Sequence, residues 1–188
     1  MQTMNTAKFI SETKDCIEIV APGESDFFID MQSMKARDNA PFYYEKRRGD
    51  FVLRARVRPE FKKTYDAGGL FVYDSASKWI KFEFEMTDLG YPSIVSVVTD
   101  KVSDDCNGER ADGSPEVWLQ IARMGDNWVL HHSENGKSWK MARYFQLKMK
   151  AEVKVGLEAQ SPIGKGCRVE FSKFSISDKG LKSMRKGK

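Results

Sequence analysis

Lys78-Trp79-Ile80-Lys81-Phe82-Glu83-Phe84-Glu85-Met86 alternates apolar and polar residues along its length. Successive side chains of a β-strand point to opposite faces, so a strand here sends Ile80, Phe82, Phe84 and Met86 to one side and Trp79, Lys81, Glu83 and Glu85 to the other. A helix would scatter both sets around its circumference. The two-residue rhythm therefore selects β structure, with the first set in a core and the second facing outward as a group.

The same rhythm continues on either side. In 50–59, DFVLRARVRP, Phe51, Leu53, Ala55 and Val57 oppose Arg54, Arg56 and Arg58; in 116–124, EVWLQIARM, Val117, Leu119, Ile121 and Arg123 alternate with Trp118, Gln120 and Ala122. Further strands are read at CIEIVA (16–21), FFIDM (27–31), PFYYEKR (41–47), AGGLFVYDS (67–75), SIVSVVTD (93–100), NWVLHHS (127–133), AEVKVGLEAQ (151–160) and CRVEFSKFSIS (167–177). Turn chemistry separates them. Asn135-Gly136 is a hairpin signal, because both residues tolerate positive φ. Many short alternating strands with no helical stretch predict an all-β, two-sheet antiparallel sandwich.

With 188 residues, 40% of them hydrophobic and 12% aromatic, the chain can fill one such core without staples. No linker divides residues 1–178, which read as one domain. Residues 179–188, KGLKSMRKGK, hold five of the 31 basic residues and none of the 27 acidic ones; without them the net charge of +4 becomes −1. The basic excess is thus a terminal tail, expected to be disordered, and the body offers no basic face for nucleic acid. Cys16, Cys106 and Cys167 are odd in number and form no zinc pattern, which fits a reducing compartment. The start of the chain has no apolar leader, and no stretch approaches the roughly 20 apolar residues of a spanning helix, so a cytoplasmic protein without membrane contact is expected.

YDAGGLFVYD (65–74), WIKFEFE (79–85), PSIVSVVTDKVSDDCNGE (92–109), VWLQIAR (117–123), HSENGKSW (132–139) and VGLEAQSPIGKG (155–166) together resemble a family of uncharacterised concanavalin A-like lectin/glucanase proteins, one of whose yeast members is described as a regulator of enolase. The resemblance spans residues 22–178. It implies a jelly-roll with one concave sheet. The commoner family pattern has Ser-Asp-Trp-Ser after the VVT strand; here the place reads Ser103-Asp104-Asp105-Cys106, without the tryptophan.

Trp79, Lys81, Glu83 and Glu85 form the first candidate site, extended by Trp118, Gln120, Arg54 and Arg56. Aromatic rings cover apolar sugar faces and carboxylates or amides bind hydroxyls, so such a face can take a carbohydrate or a similar polar ligand. The alternative is cross-strand pairing of arginines with glutamates on a solvated face. Glu83 and Glu85 also carry a fragment of the alternating acid pattern used for glycoside hydrolysis, although Lys81 beside them is expected to keep both ionised. The acidic segment 103–109 has calcium-type oxygen donors in a spacing that Asp and Asn turns also explain, and neither a metal nor a cofactor is assigned. His131 and His132 point to opposite faces, so at most one joins any site. The leading expectation is a non-catalytic binding module; next comes an intracellular regulatory domain acting on a metabolic enzyme, and third a glycoside hydrolase.

Overall fold

The structure, a computed structural model, describes residues 1–188 as sixteen strands with no helix. The first eight are β1 (Gln2–Met4), β2 (Phe9–Glu12), β3 (Cys16–Pro22), β4 (Phe27–Ile29), β5 (Ala36–Asp38), β6 (Phe42–Arg48), β7 (Phe51–Pro59) and β8 (Ala67–Ser75). The second eight are β9 (Lys78–Met86), β10 (Pro92–Asp100), β11 (Val102–Arg110), β12 (Val117–Met124), β13 (Asn127–Ser133), β14 (Lys140–Gln146), β15 (Glu152–Gln160) and β16 (Gly166–Ser177). They build two seven-stranded antiparallel sheets. The front sheet runs β1-β6-β15-β8-β9-β10-β11, the back sheet β14-β13-β12-β7-β16-β3-β2, and β4 and β5 form a separate ribbon.

The inward sets are as the alternation requires. Ile80, Phe82 and Phe84 of β9 pack between the sheets with Phe51, Leu53, Ala55 and Val57 of β7 and Leu119 and Ile121 of β12, all fully buried. Burying such a side chain stabilises the fold by about 1.5–3 kcal/mol, so this one contiguous cluster accounts for the sandwich. Met86, at the end of its strand, is only half-buried.

Eleven strands correspond to those read from the sequence, and five do not. Four of the five, β1, β2, β11 and β14, are the outer strands of the two sheets. An edge strand packs weakly against the core and needs little apolar alternation. β11, whose sequence VSDDCNGER was read as an acidic loop, is mostly exposed and paired on one side only, to β10.

Residues 179–188, expected to be a disordered tail, lie instead across the outer face of the back sheet. Leu181 is buried against Val52, Ala122 and Val129, with Met184 beside them, and the Gly187 carbonyl accepts a hydrogen bond from Gln120 Nε2 at 3.5 Å. Two apolar residues three apart anchor the tail; a count of charges does not register them.

Candidate ligand pocket

The register of β8, β9 and β10 sets the outer face of the front sheet in rows: Tyr73-Trp79-Thr99, Phe71-Lys81-Val97, Gly69-Glu83-Val95 and Ala67-Glu85-Ser93. Trp79, Lys81, Glu83 and Glu85 therefore do share one face, turned away from the inter-sheet core. They are not exposed, however. All four are buried, because the ribbon β4-β5 and its flanking segments lie over this face. The expectation of an open, solvent-facing group is corrected on this point: alternation tells which face a side chain takes, not what covers that face.

Beneath the ribbon the face has an aromatic end and a charged end. Trp79 stacks parallel to Tyr73 (centroids 6.5 Å apart) and meets the edge of Phe27 at 5.7 Å, in a second apolar cluster with Ile29, Ala40, Phe42, Tyr44 and Phe71. The ribbon is also tied down by polar contacts. The Ile29 amide donates to Ser103 Oγ at 2.9 Å, and Arg37 donates to the Pro162 carbonyl at 2.9 Å.

At the charged end, Lys81 Nζ donates to Gln160 Oε1 at 2.6 Å and Asp26 Oδ1 at 3.0 Å and lies 3.3 Å from Glu83 Oε2. Two of its donors are thereby hydrogen-bonded, and the contact with Glu83 is an ion pair. Burial alone would lower the ammonium pKa, but Asp26 and Glu83 outweigh it and the pKa is raised. Gln160 is held in turn by donating to the Tyr65 carbonyl at 3.4 Å. Behind Lys81, Glu158 and Glu83 occupy the same cross-strand row on either side of Gly69. Both carboxyls are shut off from solvent. Burial, and then the Glu83 charge, push Glu158 well above the carboxylate range, and Lys81 holds Glu83 lower than burial alone would. Lys81 does not keep Glu83 and Glu85 at ordinary values, as expected from sequence; burial dominates and raises both.

A pocket of about 220 Å3 opens beside this cluster, lined by Asp26, Phe28, Tyr65, Lys81, Glu85, Val97, Asp105, Gln160 and Pro162. At about 30 Å3 per water it holds some seven waters, and it is smaller than the roughly 300 Å3 at which pockets for drug-sized ligands begin. One ring fits it, not a chain. Tyr65 at the wall has φ +67°, a left-handed conformation that a bulky residue adopts only under constraint. Glu85 and Asp105 are the carboxyls that face the space beyond the Asp26–Lys81 pair, and burial raises both. Acid–base catalysis works through pairs whose environments separate their pKa values, and this pair is shifted in one direction.

Trp118, Gln120, Arg54 and Arg56 are not part of this assembly. β12 and β7 pair in the back sheet, with Trp118 opposite Arg56 and Gln120 opposite Arg54, and their outer face lies across the whole sandwich from Trp79. There Arg56 pairs with Glu116 at 3.0 Å and Arg58 with Glu170 at 3.8 Å, Arg54 donates to Gln120, and the Trp118 ring packs on the 134–139 turn, so close that a Cβ at Gly136 would fall 2.8 Å from it. The arginine-glutamate pairing weighed from sequence for the Trp79 face does not involve Glu83 or Glu85; the arginines of β7 pair with Glu116 and Glu170 on this other face. His131 is buried under the tail, and His132 stands 3.5 Å from Glu109 at the sandwich edge.

Sequence reading passed over Asp26, Phe28, Tyr65, Asp105, Glu158 and Gln160 as site residues. Tyr65, Glu158 and Gln160 fall within the quoted runs 65–74 and 155–166. Asp105 is the position at which the Ser-Asp-Trp-Ser pattern is lost, and it faces the pocket.

Comparison with known proteins matches residues 3–179 to a family model described as protein of unknown function (DUF1349). "Regulation of enolase protein 1" from Saccharomyces cerevisiae is 22% identical over 174 residues, 93% of this chain and 87% of that protein. A solved structure of a functionally unknown Saccharomyces cerevisiae protein superposes with TM-score 0.89 at 22% identity, covering 95% of this chain and 96% of that one. The GH43 protein BlXynB of Bacillus licheniformis gives 0.67 at 13% identity over 87% of this chain and 33% of its own. A legume lectin-like domain from Entamoeba histolytica gives 0.55 at 8% identity over 95% and 90%. At these identities the structural likeness is one of fold.

Proposed function

The chain belongs to the DUF1349 family of proteins of unknown function, and on that premise we propose that it is a non-catalytic, cytoplasmic binding module that takes a carbohydrate or similar small polar ligand in the pocket between Lys81 and Asp105. The observation that carries this is Glu85: a carboxyl 7% exposed that lines a sugar-sized pocket, its oxygens open to that pocket and bonded to no other protein group. A ligand hydroxyl or amine can take the place of pocket water on that carboxyl. The strained Tyr65 and the Phe28 ring supply the apolar surface on which a sugar ring packs. A lectin-like fold agrees with this by analogy only. Calorimetric titration with a panel of monosaccharides tests it: binding that is lost in Tyr65→Ala and retained in Trp118→Ala is expected, and no binding by any sugar overturns it.

Regulation of a metabolic enzyme through direct contact is the second reading, favoured by the printed name of the yeast relative and by the near-complete overlap of the two chains. Affinity capture that recovers a metabolic enzyme at fixed stoichiometry, equally with wild type and with Glu85→Gln, would favour this role over the sugar-binding one.

A further inference from the structure

Five carboxyl groups, Asp26, Glu83, Glu85, Asp105 and Glu158, cluster at this end of the sheet around a single ammonium, Lys81. Lys81 is committed to Gln160, Asp26 and Glu83. Glu158 is disposed of by facing Glu83. The remaining two, Glu85 and Asp105, look into the pocket from β9 and β11 and form no ion pair of their own, the nearest cation being Lys81, already paired with Asp26 and Glu83. Glu85 is more than nine-tenths buried, and its oxygens, open to the pocket, bond to no other protein group. Two aromatic residues, Phe28 and Tyr65, complete the wall.

A neutral polyol would satisfy hydrogen bonds here, but only a cation would also offset the burial that disfavours the ionised form of Glu85 and Asp105. We propose that the ligand carries a protonated amine on a sugar-sized ring, an amino sugar in chemical class, with the ammonium between Glu85 and Asp105. This rests on the pocket reading above and narrows it. An ammonium supplies up to three donors, charge-assisted bonds are about twice as strong as neutral ones, and the aromatic faces favour a cation beside them. Three fully ligating His, Cys, Asp or Glu side chains do not converge at the pocket, so a compact organic cation suits it better than a metal ion.

Titrations of the intact chain with glucosamine, glucose and N-acetylglucosamine, below the pKa of the amine, provide the test. Glucosamine is expected to bind at least about tenfold more tightly than glucose or the acetylated sugar, which keeps the ring and loses the charge. Glu85→Gln and Asp105→Asn are each expected to remove that preference. Asp105 lies on an edge strand and its substitution leaves the core intact, so the test survives even if Glu85→Gln folds poorly. Equal or tighter binding of glucose or N-acetylglucosamine overturns the amine and spares the pocket; preference for glucosamine that neither substitution changes overturns the placement. If none of the three binds, both the amine and the pocket reading fall.

Discussion

Glu158 and Glu83 face each other across Gly69, the residue registered between them on the intervening strand β8. A Cβ on Gly69 would stand 2.8 Å from Glu83 Cγ and collide with the Phe82 carbonyl. The glycine's missing side chain is what lets two carboxyls from strands two apart come together under the ribbon. Gly69→Ala is therefore expected to destabilise the fold by about 1–3 kcal/mol, the usual cost of overpacking, read as a lower denaturation midpoint. An unchanged midpoint would mean that the two carboxyls do not meet there.

The raised pKa of Glu158 makes stability depend on pH with a definite sign. Its folded pKa lies well above the ordinary 4.5, so its contribution is full below 4.5 and is lost as pH rises through the folded value. Glu85 acts in the same direction. His131 and His132, whose pKa values burial lowers from 6.5, act oppositely, removing stability as pH falls below that value. Comparing Glu158→Gln with wild type isolates the carboxyl. The variant is expected to match wild type near pH 4.5 and to melt at a higher temperature in alkaline buffer, and parallel melting curves at both would refute the raised Glu158 pKa.

Lys81 is the only cation against Asp26 and Glu83. Lys81→Met leaves those carboxylates unpaired in the interior, and a loss of about 3–5 kcal/mol is expected in chemical denaturation. Adding Glu83→Gln is expected to recover part of it. Recovery should be visible as a higher midpoint in the double variant than in the single one.

The tail places Lys179, Lys182, Arg185 and Lys186, all trypsin targets, beside Leu181 and Met184. Docked on the back sheet it should resist brief digestion of the native protein, and Leu181→Ser, which gives up roughly 2 kcal/mol of apolar burial, should release it to rapid cleavage. Equal cleavage rates in the two proteins would show that Leu181 does not anchor it.

Trp118 and Trp79 stand on opposite outer faces of the sandwich. Trp118→Ala is expected to leave any ligand affinity of the front pocket unchanged, whereas Trp79→Ala, emptying a fully buried site among Phe27, Tyr73 and Phe71, should cost about 3–5 kcal/mol of stability. Intrinsic fluorescence during ligand titration offers a check, since a change carried by Trp118 would contradict the separation.

Period and face were legible in the residues because they are local: Phe82 and Glu83 are neighbours in the chain, and the pleat alone sends one inward and the other outward. Eleven strands, the sandwich and the inward sets follow from that rule. The four edge strands escaped it because an outer strand such as β11 leaves most of its side chains in water and carries no apolar alternation. Everything about the site depends on contacts between residues far apart in sequence: Asp26 on Lys81 is a 55-residue separation, Lys81 on Gln160 one of 79. Whether a face is covered, which carboxyl keeps a proton and where a pocket remains are set by how the ribbon β4-β5 lies on the front sheet. Burial and charge pairing arise only once distant segments share a space, so tertiary structure alone decided them.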